Sequence, residues 1–128
     1  MKKKKLKKVD GACAPFALRA LITVPDAVIL DVCTQHGYRA EWGMEEHEVI
    51  ESAKELGIRL RRMNLKDKGL YRSQLRKFIA ENPIGTFLVY TTGHIFVLQN
   101  SVLIDPLTEG ERLRRIVTGA WRVLCRPI

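Results

Sequence analysis

Three short apolar runs joined by tight turns constrain the fold of this chain most, and they occupy residues 85–91, 94–99 and 102–105. The runs are rich in β-branched and aromatic side chains, which favour strands, and Asn100 and Ser101 form the turn between the second and the third. Runs of this length with turns this short predict neighbouring antiparallel strands. A last strand is expected near residues 121–125.

Helical patterns precede these strands. Pro15 suits the first turn of a helix, where a missing N–H costs nothing, so Cys13 is placed at the start of the first helix. Asp26 is predicted as the N-cap of a second helix, and two more amphipathic helices are expected at residues 44–56 and 73–81. Helices first and strands later predict an α+β fold, with the N-terminal helices packed on one side of a C-terminal antiparallel sheet.

The size of the chain bounds its organisation. Its 128 residues, 46% of them hydrophobic, suit one compact domain. We expect a basic tail over residues 1–9 and a single domain over residues 10–128. The sequence has no apolar run near the roughly 20 residues that a membrane span needs, and its start MKKKKLKK lacks the apolar stretch of a secretion signal. These features predict a protein of the cytoplasm without membrane contact.

The formal charge of +8 is unevenly distributed along the chain. Six lysines lie within the first eight residues, and subtracting them leaves the rest at about +2, which is ordinary for a folded domain. A lysine run of this kind is usually a solvated tail. Any specific role would be contact with the phosphates of a nucleic acid or with an acidic partner.

The three cysteines, Cys13, Cys33 and Cys125, are odd in number and widely spaced. They therefore predict neither a disulfide framework nor a C-x-x-C motif. The three histidines are isolated from one another, whereas zinc sites usually contain ligands at short spacing. We expect no metal and no cofactor.

Cys13 is the candidate nucleophile. A helix N-terminus stabilises negative charge, and the thiolate is the reactive form of cysteine. Cys33, inside an apolar helix, and Cys125, in the last strand, lack that environment. The alternative interpretation is that Cys13 packs as a small apolar residue.

The predicted hairpin supplies a base and a residue to orient it. With a two-residue turn, Phe96 faces Asp105, and His94 becomes the diagonal neighbour of Asp105, about 7–8 Å away at Cα. A carboxylate there would fix the tautomer of His94, as a nucleophile–base–orienter triad requires. Asn100 is the alternative orienting residue, although a turn position already suits asparagine for structural reasons.

This arrangement resembles the papain-like cysteine peptidases, in particular those that trim bacteriocin leaders and small papain-like proteins of bacteria and phages. The resemblance covers about residues 10–106 and rests on the order and spacing of several segments, which include Cys13, Pro83-Ile84-Gly85-Thr86-Phe87 and Gly93-His94-Ile95-Phe96-Val97. It implies a papain-like fold and a thiol hydrolase that cleaves a peptide or amide bond of a peptide or protein substrate. The expected location is the cytoplasm of a bacterial or phage-infected cell.

In that family the cysteine attacks the carbonyl, the histidine transfers the proton and a third residue orients the histidine. The resemblance assigns these roles to Cys13, His94 and Asp105. The start Asp10-Gly11-Ala12-Cys13 also resembles that of ovarian-tumour-type deubiquitinases, but this match is local.

The chain departs from the family at one position. Leader-processing peptidases have a glutamine about six residues before the cysteine as an oxyanion donor, and Lys7 stands there. Loss of one such donor typically lowers turnover by about 10²–10³. The alternative function is therefore a papain-like scaffold without turnover. It would bind nucleic acid or a protein partner through the lysine tail, for instance as a phage virion component.

Overall fold

Residues 13–39, 43–91, 94–104 and 114–125 are described by the structure, a computed structural model of the chain. The described part contains four helices, which are α1 (residues 13–19), α2 (Asp26–Gln35), α3 (Glu46–Glu55) and α4 (Leu75–Glu81). It also contains five strands, which are β1 (Arg59–Arg62), β2 (Thr86–Thr91), β3 (His94–Gln99), β4 (Val102–Ile104) and β5 (Val117–Cys125).

The five strands form one antiparallel sheet in the order β1-β5-β2-β3-β4. The predicted α+β class is therefore confirmed. The last strand begins at Val117, earlier than expected, and lies between β1 and β2 rather than at an edge. None of the described helices is long and apolar enough to cross a membrane.

The two faces of the sheet carry separate hydrophobic cores. The first face is defined here by Leu88, Tyr90, Ile95 and Val97, and the second face by Phe87, Val89, Phe96 and Leu98. Helices α1, α2 and α3 cover the first face through buried residues that include Leu18, Ile29 and Val49. Helix α4 covers the second face with Leu75 and Phe78.

The prediction that the helices lie on one side of the sheet is therefore wrong for α4. Strands β2 and β3 contain continuous apolar runs, Phe87-Leu88-Val89 and Ile95-Phe96-Val97-Leu98, that are buried on both faces. A strand with apolar side chains on both sides needs a layer on each side. Continuous rather than alternating hydrophobicity was the signal for this arrangement.

The start of α2 also differs from the prediction. Pro25 is the N-cap, and Asp26 is the first helical residue, with no side-chain capping bond. The Asp26 carboxylate instead accepts a hydrogen bond from Arg19 Nη1 at 3.1 Å. In this position Asp26 still stabilises the helix, because a negative charge in the first turn interacts favourably with the helix dipole.

The hairpin between β3 and β4 has the predicted register. Gln99 pairs with Val102 and Val97 pairs with Ile104. Asn100 and Ser101 have φ values of 48° and 71°, and positive φ at both central residues is typical of a type I′ turn. Asn100 Oδ1 also accepts the Gly85 N–H at 2.8 Å, so the turn is attached to the start of β2.

We expect Asn100→Ala to lower the free energy of unfolding by about 1–2 kcal/mol, because alanine tolerates positive φ poorly and cannot accept the Gly85 N–H. Urea denaturation monitored by circular dichroism measures the change. Val102→Ala is the control, because Val102 is next to the turn but 60% exposed. An equal effect of both variants would contradict the role of the Asn100 side chain.

Candidate active site

Cys13 is the first described residue of α1 and is only 5% exposed. It belongs to the core of the first face, together with Ala14, Ala17 and Leu18 from the same helix. Pro15 lies two residues later within the helix, as expected for a first turn. The Cys13 side chain is therefore part of the hydrophobic core on the first face.

Two tyrosines, Tyr38 and Tyr90, pack against the core that contains Cys13. Burial raises the pKa of Tyr90 well above its usual range, and nearby negative charge on Glu46 and on Cys13 adds to this effect. Burial also raises the pKa of Tyr38, with further contributions from Cys33 and Cys13. Cys13 and Tyr90, the next-to-last residue of β2, therefore share the core of the first face.

His94 is the first residue of β3 and is 4% exposed. It pairs with Thr91, the last residue of β2, while the neighbouring pair is Tyr90 with Ile95. Its ring lies 5.7 Å from that of Phe96, measured between centroids. Because Tyr90 packs against the core that contains Cys13, that core reaches the end of the sheet where β2 finishes and His94 begins β3.

The two residues approach this end from different sides. Side chains alternate along a strand, so His94 is on the second face with Phe96, whereas Cys13 packs against the first face. A sulfur and an imidazole arranged in this way can meet only at the sheet end, where β2 finishes and β3 begins.

The third predicted member of the triad, Asp105, lies outside the described residues, as does Lys7. The register on which the role of Asp105 rests is present up to the Val97–Ile104 pair. The assignment of Asp105 therefore stays a prediction.

Asn100, the alternative orienting residue, is at the wrong end of the strand. It follows Gln99 at the end of β3, whereas His94 opens the strand, so the two lie about 20 Å apart at 3.3 Å per residue. Its carboxamide oxygen is already bonded to the Gly85 N–H. The structure excludes Asn100 as a partner of His94.

The other two histidines interact with acids on the helices. His36 Nε2 lies 2.6 Å from Glu55 Oε1, and His47 Nδ1 lies 3.6 Å from Glu45 Oε1. Among the three histidines, His94 alone is buried and lies in the sheet, and it stays the predicted partner of Cys13.

Cys33 has the environment of a structural thiol. It is fully buried in α2, and burial raises its pKa to about 11, although a hydrogen bond with Ser52 partly opposes this shift. The side chain of Cys125 lies outside the described part. The prediction that Cys33 is unsuited to nucleophilic chemistry agrees with this environment.

The raised pKa of Cys33 predicts a loss of stability in alkali. Between about pH 9 and 11 the unfolded chain loses the thiol proton while the folded chain keeps it, so unfolding becomes more favourable by up to about 2 kcal/mol. Cys33→Ala should weaken the pH dependence of unfolding in this range. Urea titrations of both proteins at pH 8, 9, 10 and 11 measure the difference, and parallel profiles would contradict it.

The sequence did not reveal a polar group around Glu46, whose partners Tyr90 and Trp121 pack against the core that contains Cys13. Tyr90 donates a hydrogen bond to the main-chain oxygen of Glu46 at 3.4 Å, and Trp121 Nε1 donates to Glu46 Oε2 at 2.7 Å. Gly119 lies against the same carboxylate, since a Cβ atom there would be 3.3 Å from Oε2. Tyr90 and Trp121 are 44 and 75 positions from Glu46 in the chain, so no local spacing could have revealed the group.

Within the described residues, no group of three His, Cys, Asp and Glu side chains could together hold a metal ion.

Comparison with known proteins does not identify a family for the chain. No protein-family model matches the chain, and neither a curated protein nor a solved structure matches it. Its function must therefore be argued from its own residues.

Proposed function

We propose that the chain is a papain-like thiol hydrolase that acts on a peptide or other amide bond in the cytoplasm of a bacterial or phage-infected cell. One observation supports this most. Cys13, in the first turn of α1, is buried in the core against which Tyr90 packs, and the buried His94 begins β3 beside the end of β2 that contains Tyr90. The nearby Tyr90 and Tyr38 add polar groups to an otherwise apolar site.

The reaction would proceed in two steps. His94 accepts the thiol proton, the sulfur of Cys13 bonds to the carbonyl carbon, and the proton passes to the departing amine as the C–N bond breaks. Water then attacks the thioester with His94 as base, which releases the acid and restores the thiol. Asp105 would orient His94, and the backbone N–H of Cys13 would stabilise the oxyanion.

A small thiol-directed activity probe tests the proposal, because a buried thiol is more accessible to a small electrophile than to a folded protein. We expect one labelled site in the wild type, unchanged labelling of Cys33→Ala and none of Cys13→Ala. Cys33→Ala is a matched control, since both cysteines are buried helical thiols. Equal labelling of the wild type and Cys13→Ala, or no labelling at all, would count against a hydrolase.

A second candidate is a scaffold without turnover that binds nucleic acid, for instance in a virion. Lys7 in place of a glutamine and the lysine-rich start of the chain motivate it. The segment of residues 59–72 favours this candidate, because it has six exposed cationic side chains and only one acidic residue, Asp67. Comparing nucleic-acid binding at low and high salt, with and without residues 1–8, tests the tail. Binding insensitive to salt or to the deletion would exclude that role.

A further inference from the structure

A cavity of about 470 Å³ opens where β1 ends, beside the loop that leads to α4. Its lining combines the polar and charged side chains of Arg62, Asn64, Lys66, Tyr71 and Thr118 with the apolar Met63 and Leu65 and with Gly119. Its volume lies within the range of about 300–1,000 Å³ that is usual for small-molecule sites. None of these residues has a role in the proposed thiol chemistry.

The surroundings of the cavity are strongly positive. The segment from residue 59 to residue 72 has six exposed cations, which are Arg59, Arg61, Arg62, Lys66, Lys68 and Arg72. In the described part of the chain, none of them forms an ion pair with a carboxylate. The one acid of the segment, Asp67, accepts a hydrogen bond from Asn64 Nδ2 at 2.9 Å.

Like charges also face one another across the neighbouring strand pair, where Arg61 lies opposite Arg122. Equal charges at directly opposed positions destabilise a sheet. Neither of these two arginines lines the cavity, but both add to the positive charge in its neighbourhood. The uncompensated charge therefore suits an anionic ligand better than a neutral or cationic one.

An aromatic ring lies at the edge of the cavity. Tyr71 is 43% exposed, with Lys66 Nζ at 5.3 Å and Arg72 Cζ at 6.0 Å from its ring centroid. Arg72 has a φ of 64°, which is costly for a residue other than glycine, and its N–H donates to Val117 O at 2.9 Å. The backbone that presents Tyr71 is therefore held in one conformation by the sheet.

From this combination we infer that the cavity binds a nucleotide, with the phosphate at Arg62 and Lys66 and the base against Tyr71. A ligand with a negative group and a flat ring matches both features at once. Aromatic side chains beside cations hold unpaired bases in this way in proteins that bind single strands. The nucleotide is either free or part of a single-stranded nucleic acid. The inference places nucleic-acid binding, the second candidate function, in the folded domain, and it does not depend on the thiol.

Calorimetric titration of the full chain tests the inference, with thymidine monophosphate and a short single-stranded oligothymidylate as separate ligands. We expect Tyr71→Leu and the double variant Arg62→Gln/Lys66→Gln each to weaken binding by about tenfold or more. The control, Lys54→Gln/Arg76→Gln, also removes two exposed charges, but from α3 and α4, and should change binding less than about twofold. All the substituted side chains are exposed, so thermal unfolding should show that each variant folds.

Binding of the monophosphate as tight as that of the oligomer would indicate a free nucleotide, and binding of the oligomer alone would indicate a single strand. Either result supports the site if the cavity variants weaken it. Wild-type affinity in Tyr71→Leu, equal affinity for a duplex, or no binding at low salt would overturn it. Deletion of residues 1–8 distinguishes the lysine tail from the cavity as the binding site. If the deletion abolishes binding while Tyr71→Leu binds like the wild type, the tail is the binding site and the cavity site is overturned.

Discussion

Replacing His94 with alanine is expected to slow the alkylation of Cys13 by iodoacetamide at pH 6 by about 30- to 100-fold, and to change the rate at pH 9 far less. An unassisted thiol is less than about 1% ionised at pH 6, whereas an adjacent imidazolium holds the sulfur as thiolate. Peptide mapping by mass spectrometry at timed intervals measures the rate at Cys13 separately from the other two cysteines.

The pH profile separates a catalytic role of His94 from a structural one. His94 is buried, so His94→Gln, which retains a polar side chain of similar size, serves as a second variant, and thermal unfolding shows whether each variant is folded. His47→Ala is the control, since the His47 side chain is 69% exposed on α3. If folded His94 variants follow the wild-type profile at both pH values, His94 does not ionise Cys13.

Replacing Phe78 with alanine is expected to lower the free energy of unfolding by about 3–5 kcal/mol, a large share of the total for a domain of this size. Phe78 on α4 is fully buried, and its ring meets that of Phe87 edge to face, with centroids 5.5 Å apart and planes at 87°. The substitution removes the buried ring, leaves a cavity and breaks the aromatic pair. Urea denaturation with the slope compared between variants measures the loss.

This result tests whether α4 covers the second face of the sheet. The control is Leu30→Ala on α2, where the leucine is 46% exposed and the cost should be below about 1 kcal/mol. A similar small cost for Phe78→Ala would mean that the second core contributes little, and that the helices on the first face alone hold the fold together.

The hairpin was predictable because its determinants are local. Asn100 tolerates a positive φ, and a two-residue turn sets the register of the strands on both sides, as the Gln99–Val102 pair shows. The helices α3 and α4 were predicted to within about two residues for a similar reason, since spacing of apolar side chains and helix-ending residues act over one or two turns.

Predictions that depended on distant partners were less accurate. Asp26 has the chemistry of an N-cap, yet Arg19 from the preceding helix binds its carboxylate instead. The last strand was expected near residues 121–125, but pairing with both β1 and β2 extends it back to Val117. The prediction that α4 covers the same side of the sheet as the other helices was also wrong. An amphipathic pattern shows that a helix has a buried face but not which side of the sheet that face packs against.

The amino-acid sequence alone determined the α+β class, the hairpin register and the position of Cys13 in the first turn of a helix, because backbone preferences and contacts between near neighbours decide these features. Packing between distant segments decided that β5 lies between β1 and β2, that α4 covers the second face, and that Cys13 and His94 belong to different faces of the sheet. These outcomes depend on pairing and packing between segments tens of residues apart. Their free energy comes from surfaces that exist only once the chain has folded.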